Sequence, residues 1–377
     1  MSTSYQIAIV GGGLAGLSLA IQAARAGFRT VLFEKERYPF HKVCGEYISF
    51  ENWNYLQDLG IPLSDMKLPM INKLLITSPD GRAIESRLPL GGFGISRYLI
   101  DSLLYKVALN EGVNVMEGTK VLDIRFKSNQ FEIHTTAGSF TSDIAAGSYG
   151  KRSNIDVKWK RSFTLHNHDK LSDFVAVKYH VRYNSPVDQI ALHNFQHGYC
   201  GISKIEDDKS CLCYLTRAVN LRAAGNDIKK MEEQVLMKNP FLDNIFSKAE
   251  FLYDRPLTIS RISFARKSQV DRHVLLLGDA AGLIAPLCGN GMSMALHAGK
   301  IAFAEIDAFL SGRIDRFEME TNYTSEWEKQ FSRRLSAGRV IQRFFGSATL
   351  SNLLLSTVKP FPRIVSLLIR QTHGTPY

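Results

Sequence analysis

Three short stretches of this 377-residue sequence carry residue types and spacings that could do chemistry. Gly11-Gly12-Gly13-Leu14-Ala15-Gly16 sets Gly11, Gly13 and Gly16 at the spacing with which a backbone turn closes on phosphate. Gly11 permits the tight turn, Gly13 lets the chain approach a pyrophosphate, and Gly16 allows a helix to pack closely on a strand. Glu34 follows about twenty residues later, where a carboxylate can accept both hydroxyls of an adenosine ribose. Far downstream, Gly278-Asp279-Ala280-Ala281-Gly282 offers a second carboxylate in a glycine-rich turn, followed by Gly289-Asn290-Gly291-Met292.

These stretches need particular elements to position them. Gln6–Val10 reads as a short buried strand and Leu17–Ala26 as a helix, so the first glycines fall at a strand-to-helix turn whose helix N-terminus presents unpaired N–H groups to phosphates. Thr30–Phe33 reads as a strand ending at Glu34, and His273–Leu277 as a strand ending at Gly278-Asp279. An Asp there can hydrogen-bond a ribityl hydroxyl, which NAD lacks, while the helix start at 289–292 faces a flavin pyrimidine edge and pyrophosphate. The pairing of the two segments selects FAD over NAD; alone, the second reads equally well as an ordinary strand-to-helix turn. Arg97 opens a helical pattern through Leu99, Leu103, Leu104, Val107 and Ala108 that stops at Gly112 before a strand at Val113–Met116. It reads as a cation that reaches a phosphate, or as a solvated helix-start arginine.

GGGLAGLSLA, the run from Arg37 through Cys44-Gly45-Glu46, Ser96-Arg97, and GDAAG followed by Pro286 and GNGM resemble the geranylgeranyl-reductase branch of the FAD-dependent oxidoreductases with a para-hydroxybenzoate-hydroxylase-like fold. The resemblance spans nearly the whole chain in order. It implies an α/β fold with an α+β insert: a Rossmann-like FAD-binding domain, an interleaved antiparallel-sheet substrate domain, and C-terminal helices. The expected division is an FAD-binding part over 1–155 with an excursion near 65–95 toward the substrate side, a substrate sheet over 156–260, a second FAD-binding part over 261–330, and a basic helical segment over 331–377. The resemblance carries Gly11, Gly13, Gly16, Glu34, Arg97 and Asp279 over as FAD contacts. The expected cofactor site also takes in Leu14, Ala15, Lys35, Arg37, Lys42, Cys44, Gly45, Val121, Gly278, Pro286, Gly289, Gly291 and Met292. It further places Cys44 beside the isoalloxazine, where its thiol donates a proton or simply shapes the wall. Glu46 is an equal candidate acid, or a structural partner of Lys42 or Arg37. No metal site is expected.

Two departures matter. Ala146, in Ile144-Ala-Ala-Gly-Ser-Tyr-Gly150, stands where many relatives carry an Asp that supports both FAD and NAD(P)H. The tryptophan-rich signature of flavin halogenases is absent and Gly198–Ser203 only faintly echoes its position, which disfavours halogenation.

Between about 156 and 258 the pattern alternates with period two: Val175, Val177, Tyr179 and Val181 on one face, Ala176, Lys178, His180 and Arg182 on the other. This predicts an antiparallel sheet with one buried face. Further strands are expected at Gln189–Phe195, Tyr199–Ser203 and Cys211–Thr216, with a helical stretch near Ile228–Lys238 before Pro240. Cys211 and Cys213 read as core thiols rather than a metal pair, and His180, His193 and His197 as surface or hydrogen-bonded histidines. A sheet roofing a flavin makes a pocket suited to an apolar substrate.

Five cysteines, irregularly spaced, exclude a disulfide framework and a zinc module, and fit a reducing cytoplasmic setting. The N-terminus lacks a signal-peptide pattern, and no apolar run of about eighteen residues suggests a membrane span. The net charge of +10 raises nucleic acid as a partner, but no recognition motif accompanies it. From Arg333 onward there are seven Lys/Arg and no Asp or Glu, a surface suited to anionic membrane from the cytoplasmic side, or to packing over the FAD domain. Three functions are compatible with the sequence: an FAD-dependent reductase of C=C bonds in an isoprenoid or lipid-like substrate, with NADPH or NADH as reductant; an FAD-dependent monooxygenase of an aromatic or polyketide-like molecule; and a non-catalytic FAD-binding protein.

Overall fold

The computed structural model describes residues 4–151, 153–165, 173–284, 289–344 and 374–377. Along the chain it builds β1 (Ser4–Val10), α1 (Leu14–Arg25), β2 (Thr30–Phe33), β3 (Tyr47–Ser49), α2 (Trp53–Asp58), β4 (Met70–Thr77) and β5 (Ala83–Gly94). Then follow α3 (Arg97–Asn110), β6 (Asn114–Met116), β7 (Val121–Lys127), β8 (Gln130–Thr135), β9 (Gly138–Gly147), α4 (Asn154–Lys158) and α5 (Ser162–Leu165). The middle of the chain holds β10 (Phe174–Arg182), β11 (Gln189–Phe195), β12 (Gly198–Lys204), β13 (Ser210–Arg217), α6 (Ala218–Ala223), α7 (Ile228–Met231) and α8 (Pro240–Lys248). The last elements are β14 (Glu250–Phe251), β15 (Leu257–Ile262), β16 (Val270–Asp271), β17 (Val274–Leu276), α9 (Gly291–Leu310) and α10 (Arg316–Phe344).

Two sheets result. The first runs β16-β17-β9-β1-β2-β6, with β8 antiparallel to β9 and β7 antiparallel to β8. β1 pairs parallel with both β2 and β9, and β17 parallel with β9, so the strand after Lys267 returns to the sheet begun at the N-terminus. All four residues of β2 are buried, as a strand covered on both faces requires. Helices α1 and α9 pack on each other, which brings the two glycine-rich segments to the same end of the sheet.

The second sheet runs β14-β10-β13-β12-β11-β4-β5-β3, with β15 on β10. Its outer face, Val175, Val177, Tyr179 and Val181, packs against Met231, Leu236, Leu242 and Ile245 from the helical stretch that follows β13. The inner face is buried as well, which corrects the expectation of a single buried face: Ala176, Lys178 and His180 are covered, and within the Ala176–Arg182 series only Arg182 reaches solvent. The inner face is covered because it roofs the cavity above the first sheet. The polar residues Lys178 and His180 survive there because both meet Glu46 from across the cavity. The helical stretch after Asp227 is not a regular α-helix; it widens to a π-helical turn at Glu232–Leu236, whose Glu232 carboxyl accepts the Tyr179 and Tyr214 hydroxyls at 2.8 and 2.7 Å.

Candidate active site

The first glycine turn is built as its sequence demands. Gly11 has φ +107°, donates its N–H to Phe33 O at 2.8 Å, and lies so close to the Ser148 carbonyl that a Cβ there has no room. Gly13 caps α1 without a side-chain hydrogen bond, leaving first-turn N–H groups directed at the cavity. A Cβ on Gly13 would meet only Arg97 Nη2 at 3.6 Å and Lys42 Nζ at 3.8 Å, two cations bordering an open space above the backbone.

Those cations are held by one carboxylate. Ser96 caps α3, accepting the Leu99 N–H at 3.1 Å, a contact worth about 1 kcal/mol that fixes Arg97 at the first helical position. Asp101, one turn on, accepts Arg97 Nε at 2.8 Å and Nη2 at 2.7 Å, and Lys42 Nζ lies 3.0 Å from it. Burial acts to raise the Asp101 pKa, but Arg97 and Lys42 outweigh it and hold the carboxyl below its ordinary range. Two cations against one anion leave a net positive charge beside Gly13.

Two adjoining cavities meet here. One, largely apolar, is walled by Gly13, Leu14, Ala15, Cys44, Gly45, Glu46, Arg97, Gly278, Asp279, Gly289, Gly291 and Met292 below and by Ala176, Ile190, Leu192, Ile202, Leu215 and Ile262 of the sheet above. The other takes in Gly11, Glu34, Lys35, Lys42 and Val121. Gly13, Val43, Arg97, Ser148 and Asp279 border both, which makes one trough. Glu34 stands at one end, its Oε2 accepting Gly12 N–H at 2.8 Å and Oε1 accepting Glu36 N–H at 3.1 Å, with lone pairs left on both oxygens. The order along the trough, carboxylate, cations with free N–H groups, a second carboxylate at Asp279, then apolar walls, fits the order of ribose, pyrophosphate, ribityl chain and isoalloxazine in FAD.

Not every expected residue comes together. Arg37 is exposed and stands outside both cavity walls, beside Gly118. Lys35 borders the trough but is exposed and paired with exposed Glu36 at 3.5 Å. Pro286 lies outside the described residues, as does most of the basic C-terminal segment. Ala146 is fully buried at the sheet centre between Ile9 and Leu275, and the polar contact at that strand end comes instead from Ser148, whose Oγ donates to Gly11 O at 2.6 Å. Sequence reasoning missed Ser148, Asp101 and Lys267. The i, i+4 spacing of Arg97 and Asp101 was the available signal for Asp101. Lys267 is buried, donates to Asp279 O at 2.7 Å and Lys151 O at 3.1 Å, and burial pushes its pKa down to about 8.

Glu46 finds neither Lys42 nor Arg37 but a different set of partners. Its backbone sits at φ +56°, a left-handed conformation that a non-glycine residue holds only when its surroundings fix it. Oε1 accepts Arg97 N–H at 2.7 Å and forms an ion pair with fully buried Lys178; Oε2 lies 2.6 Å from His180 Nε2. Burial acts to raise its pKa, and Lys178 and His180 together bring it below the usual carboxylate range. Glu46 is therefore an anion at rest. Cys44 borders the apolar pocket, and its carbonyl accepts Cys211 Sγ at 3.2 Å. Glu46, His180 and Cys211 place donor atoms within 4.8 Å of one another, but Lys178 already supplies the cation this carboxylate needs, and burial keeps the Cys211 thiol protonated. His193 is buried and meets Thr77 Oγ1 at 2.9 Å, while His197 occupies a left-handed turn.

The two interleaved sheets with this trough between them have the Rossmann-like fold of FAD-binding oxidoreductases. Residues 5–173 match the family described as pyridine nucleotide-disulphide oxidoreductase. Conditioned medium factor receptor 1 of Dictyostelium discoideum is 23% identical over 368 residues, covering 90% of this chain and 70% of that protein. Digeranylgeranylglycerophospholipid reductase of Methanococcus vannielii is 23% identical over 356 residues, covering 88% and 84%. Among solved structures, the flavin-dependent brominase Bmp2 superposes with TM-score 0.81 at 19% identity, covering 98% of this chain and 93% of that one. A geranylgeranyl bacteriochlorophyll reductase-like protein of Thermoplasma acidophilum gives 0.78 at 18% identity, covering 100% and 97%. No helix among the described residues is long and apolar enough to cross a membrane.

Proposed function

We propose that the protein is an FAD-dependent reductase of carbon–carbon double bonds in an isoprenoid or lipid-like molecule, with NADPH or NADH reducing the flavin. The observation that carries this reading is the apolar roof of the pocket. Ile190, Leu192, Ile202, Leu215 and Ile262 face the space above Cys44 and Gly45, where a hydrocarbon chain leaves water for apolar side chains. Two buried hydroxyls in that wall, Tyr47 and Ser203, have no hydrogen-bond partner and suit one polar end of an otherwise apolar substrate. Bound FAD supplies hydride chemistry. The protein's own residues hold the pyrophosphate with Arg97, Lys42 and the α1 N-terminus, exclude water with the sheet, and keep an ionised Glu46 at the wall. Relatives that include a digeranylgeranylglycerophospholipid reductase support the same direction.

A monooxygenase reading draws support from the likeness to PqsL of Pseudomonas aeruginosa, described as a probable FAD-dependent monooxygenase (TM-score 0.74). One experiment separates the two: holoenzyme, NADPH and a geranylgeranyl-bearing lipid, incubated without and with air and read by mass spectrometry. Gain of two hydrogens per double bond under argon supports the reductase. Conversion only in air, with one oxygen added, overturns it.

A further inference from the structure

From Glu46 a single file of hydrogen-bonding side chains leads away from the pocket. His180 Nε2 lies 2.6 Å from Glu46 Oε2, and its other ring nitrogen, Nδ1, lies 2.6 Å from Tyr253 Oη. Tyr253 Oη in turn lies 3.0 Å from Nε2 and 3.2 Å from Nδ1 of His41. His41 is stacked on Tyr98, which is 41% exposed, and borders the second cavity of the trough. An ion pair with Lys178 would satisfy Glu46 by itself; the chain of three further groups serves no such need.

We infer that His41, Tyr253, His180 and Glu46 form a proton relay that carries protons from the outer cavity to the wall of the substrate pocket. The chemistry of the donors gives the file a direction. Ionised Glu46 only accepts, so His180 Nε2 carries a proton toward it; the relay then needs Nδ1 to accept, with Tyr253 donating to it and accepting from His41. Every O–H and N–H thus points inward. When His41 takes a proton from water, it releases one to Tyr253, Tyr253 releases its own to His180 Nδ1, and His180 releases the Nε2 proton to Glu46. One proton enters, one arrives, and no atom is oxidised or reduced. At the pocket wall Glu46 would hold this proton for one carbon of the double bond, the hydride for the other being what bound FAD would supply, a purpose that rests on the reductive reading above. Lys178 from β10, Cys211 from β13, Glu206 and Lys209 from the turn between β12 and β13, and Tyr98 from α3 face the file. The positive groups among them, with burial, push the His41 pKa down to about 4 and keep its ring neutral near pH 7.

The test uses two measurements. In the 15N-histidine-labelled protein, nuclear magnetic resonance should find His180 neutral with its proton on Nε2; a proton on Nδ1 reverses the file and overturns the relay. In holoenzyme photoreduced without air, proton uptake followed by a pH-indicator dye should be at least tenfold slower in Tyr253→Phe, which removes one oxygen, with FAD affinity and melting temperature unchanged, and also slower in FAD-saturated His41→Phe. Uptake at the wild-type rate in either well-folded variant sinks the proposal. Neither measurement uses a substrate, so failure of lipid reduction with intact uptake points at the substrate reading alone.

Discussion

Two buried carboxylates in this site have nearly the same local make-up and opposite consequences. Asp101 faces Arg97 and Lys42, two permanent cations, so the group carries a charge of +1 and borders the cavity next to the bare backbone of Gly13. Glu46 faces one ammonium, Lys178, and the imidazole of His180, and spends its hydrogen bonds on them and on the Arg97 N–H. The first arrangement is suited to hold an anion; the second is suited to hold or pass a proton. What separates them is a guanidinium in place of an imidazole, because the one cannot lose its proton and the other can.

The largest effect is expected at the turn that the anion-binding group serves. Gly11→Val puts a side chain into the Ser148 carbonyl at φ +107°, and the purified protein should lack a flavin absorption band and fail to take up added FAD. Retention of yellow protein would break the link between the glycine turn and the cofactor.

Next comes Lys178→Met, which leaves Glu46 buried and unpaired and should cost about 3–5 kcal/mol in denaturant unfolding. The sign with pH follows from the depressed pKa of Glu46. A carboxylate lowered on folding stabilises above its unfolded pKa of about 4 and loses that contribution as pH falls through the folded value. The variant should therefore show a shallower loss of stability below about pH 4 than the wild type. An equally steep acid limb in both would mean that Lys178 does not hold the Glu46 anion.

Lys267 sharpens the comparison because it is a cation whose burial outweighs the pull of Asp156 and Asp279. Its pKa of about 8 means that burial opposes its charge, so the folded state is penalised below that value and relieved as pH rises toward about 10.4. Wild-type stability relative to Lys267→Met should rise by up to about 3 kcal/mol between those limits. Parallel stability curves for the two proteins would remove the assignment.

Smaller effects belong to the anion-binding side. Lys42→Met leaves Arg97 on Asp101, so stability should fall by no more than about 1.5 kcal/mol while FAD affinity drops about tenfold. Lys35→Ala removes an exposed side chain paired only weakly with Glu36, and FAD affinity should change by less than about threefold. A larger loss for Lys35 than for Lys42 would invert the picture of which cations meet the phosphates.

The sequence by itself determined what is local. Strand β2 at Thr30–Phe33 and strand β11 at Gln189–Phe195 have the bounds their hydrophobic patterns predict, and the strand–glycine turn–helix unit around Gly11 follows from backbone sterics within a dozen residues. A dinucleotide-binding turn was legible for the same reason, while the choice of FAD came from pairing it with the distant segment at 278–292. Tertiary structure alone decided the rest. Period two in β10 shows that Lys178 and His180 share a face, but not that a second layer covers it. Glu46 meets Lys178 across 132 residues of chain and His180 across 134, a distance at which no local pattern records a partner. Arg37 and Lys42 lay closer to Glu46 in sequence and were the natural candidates, yet the left-handed turn at Glu46 aims its carboxylate at the other sheet. Local sterics set the elements; which charges face each other was settled by how the two sheets close over one trough.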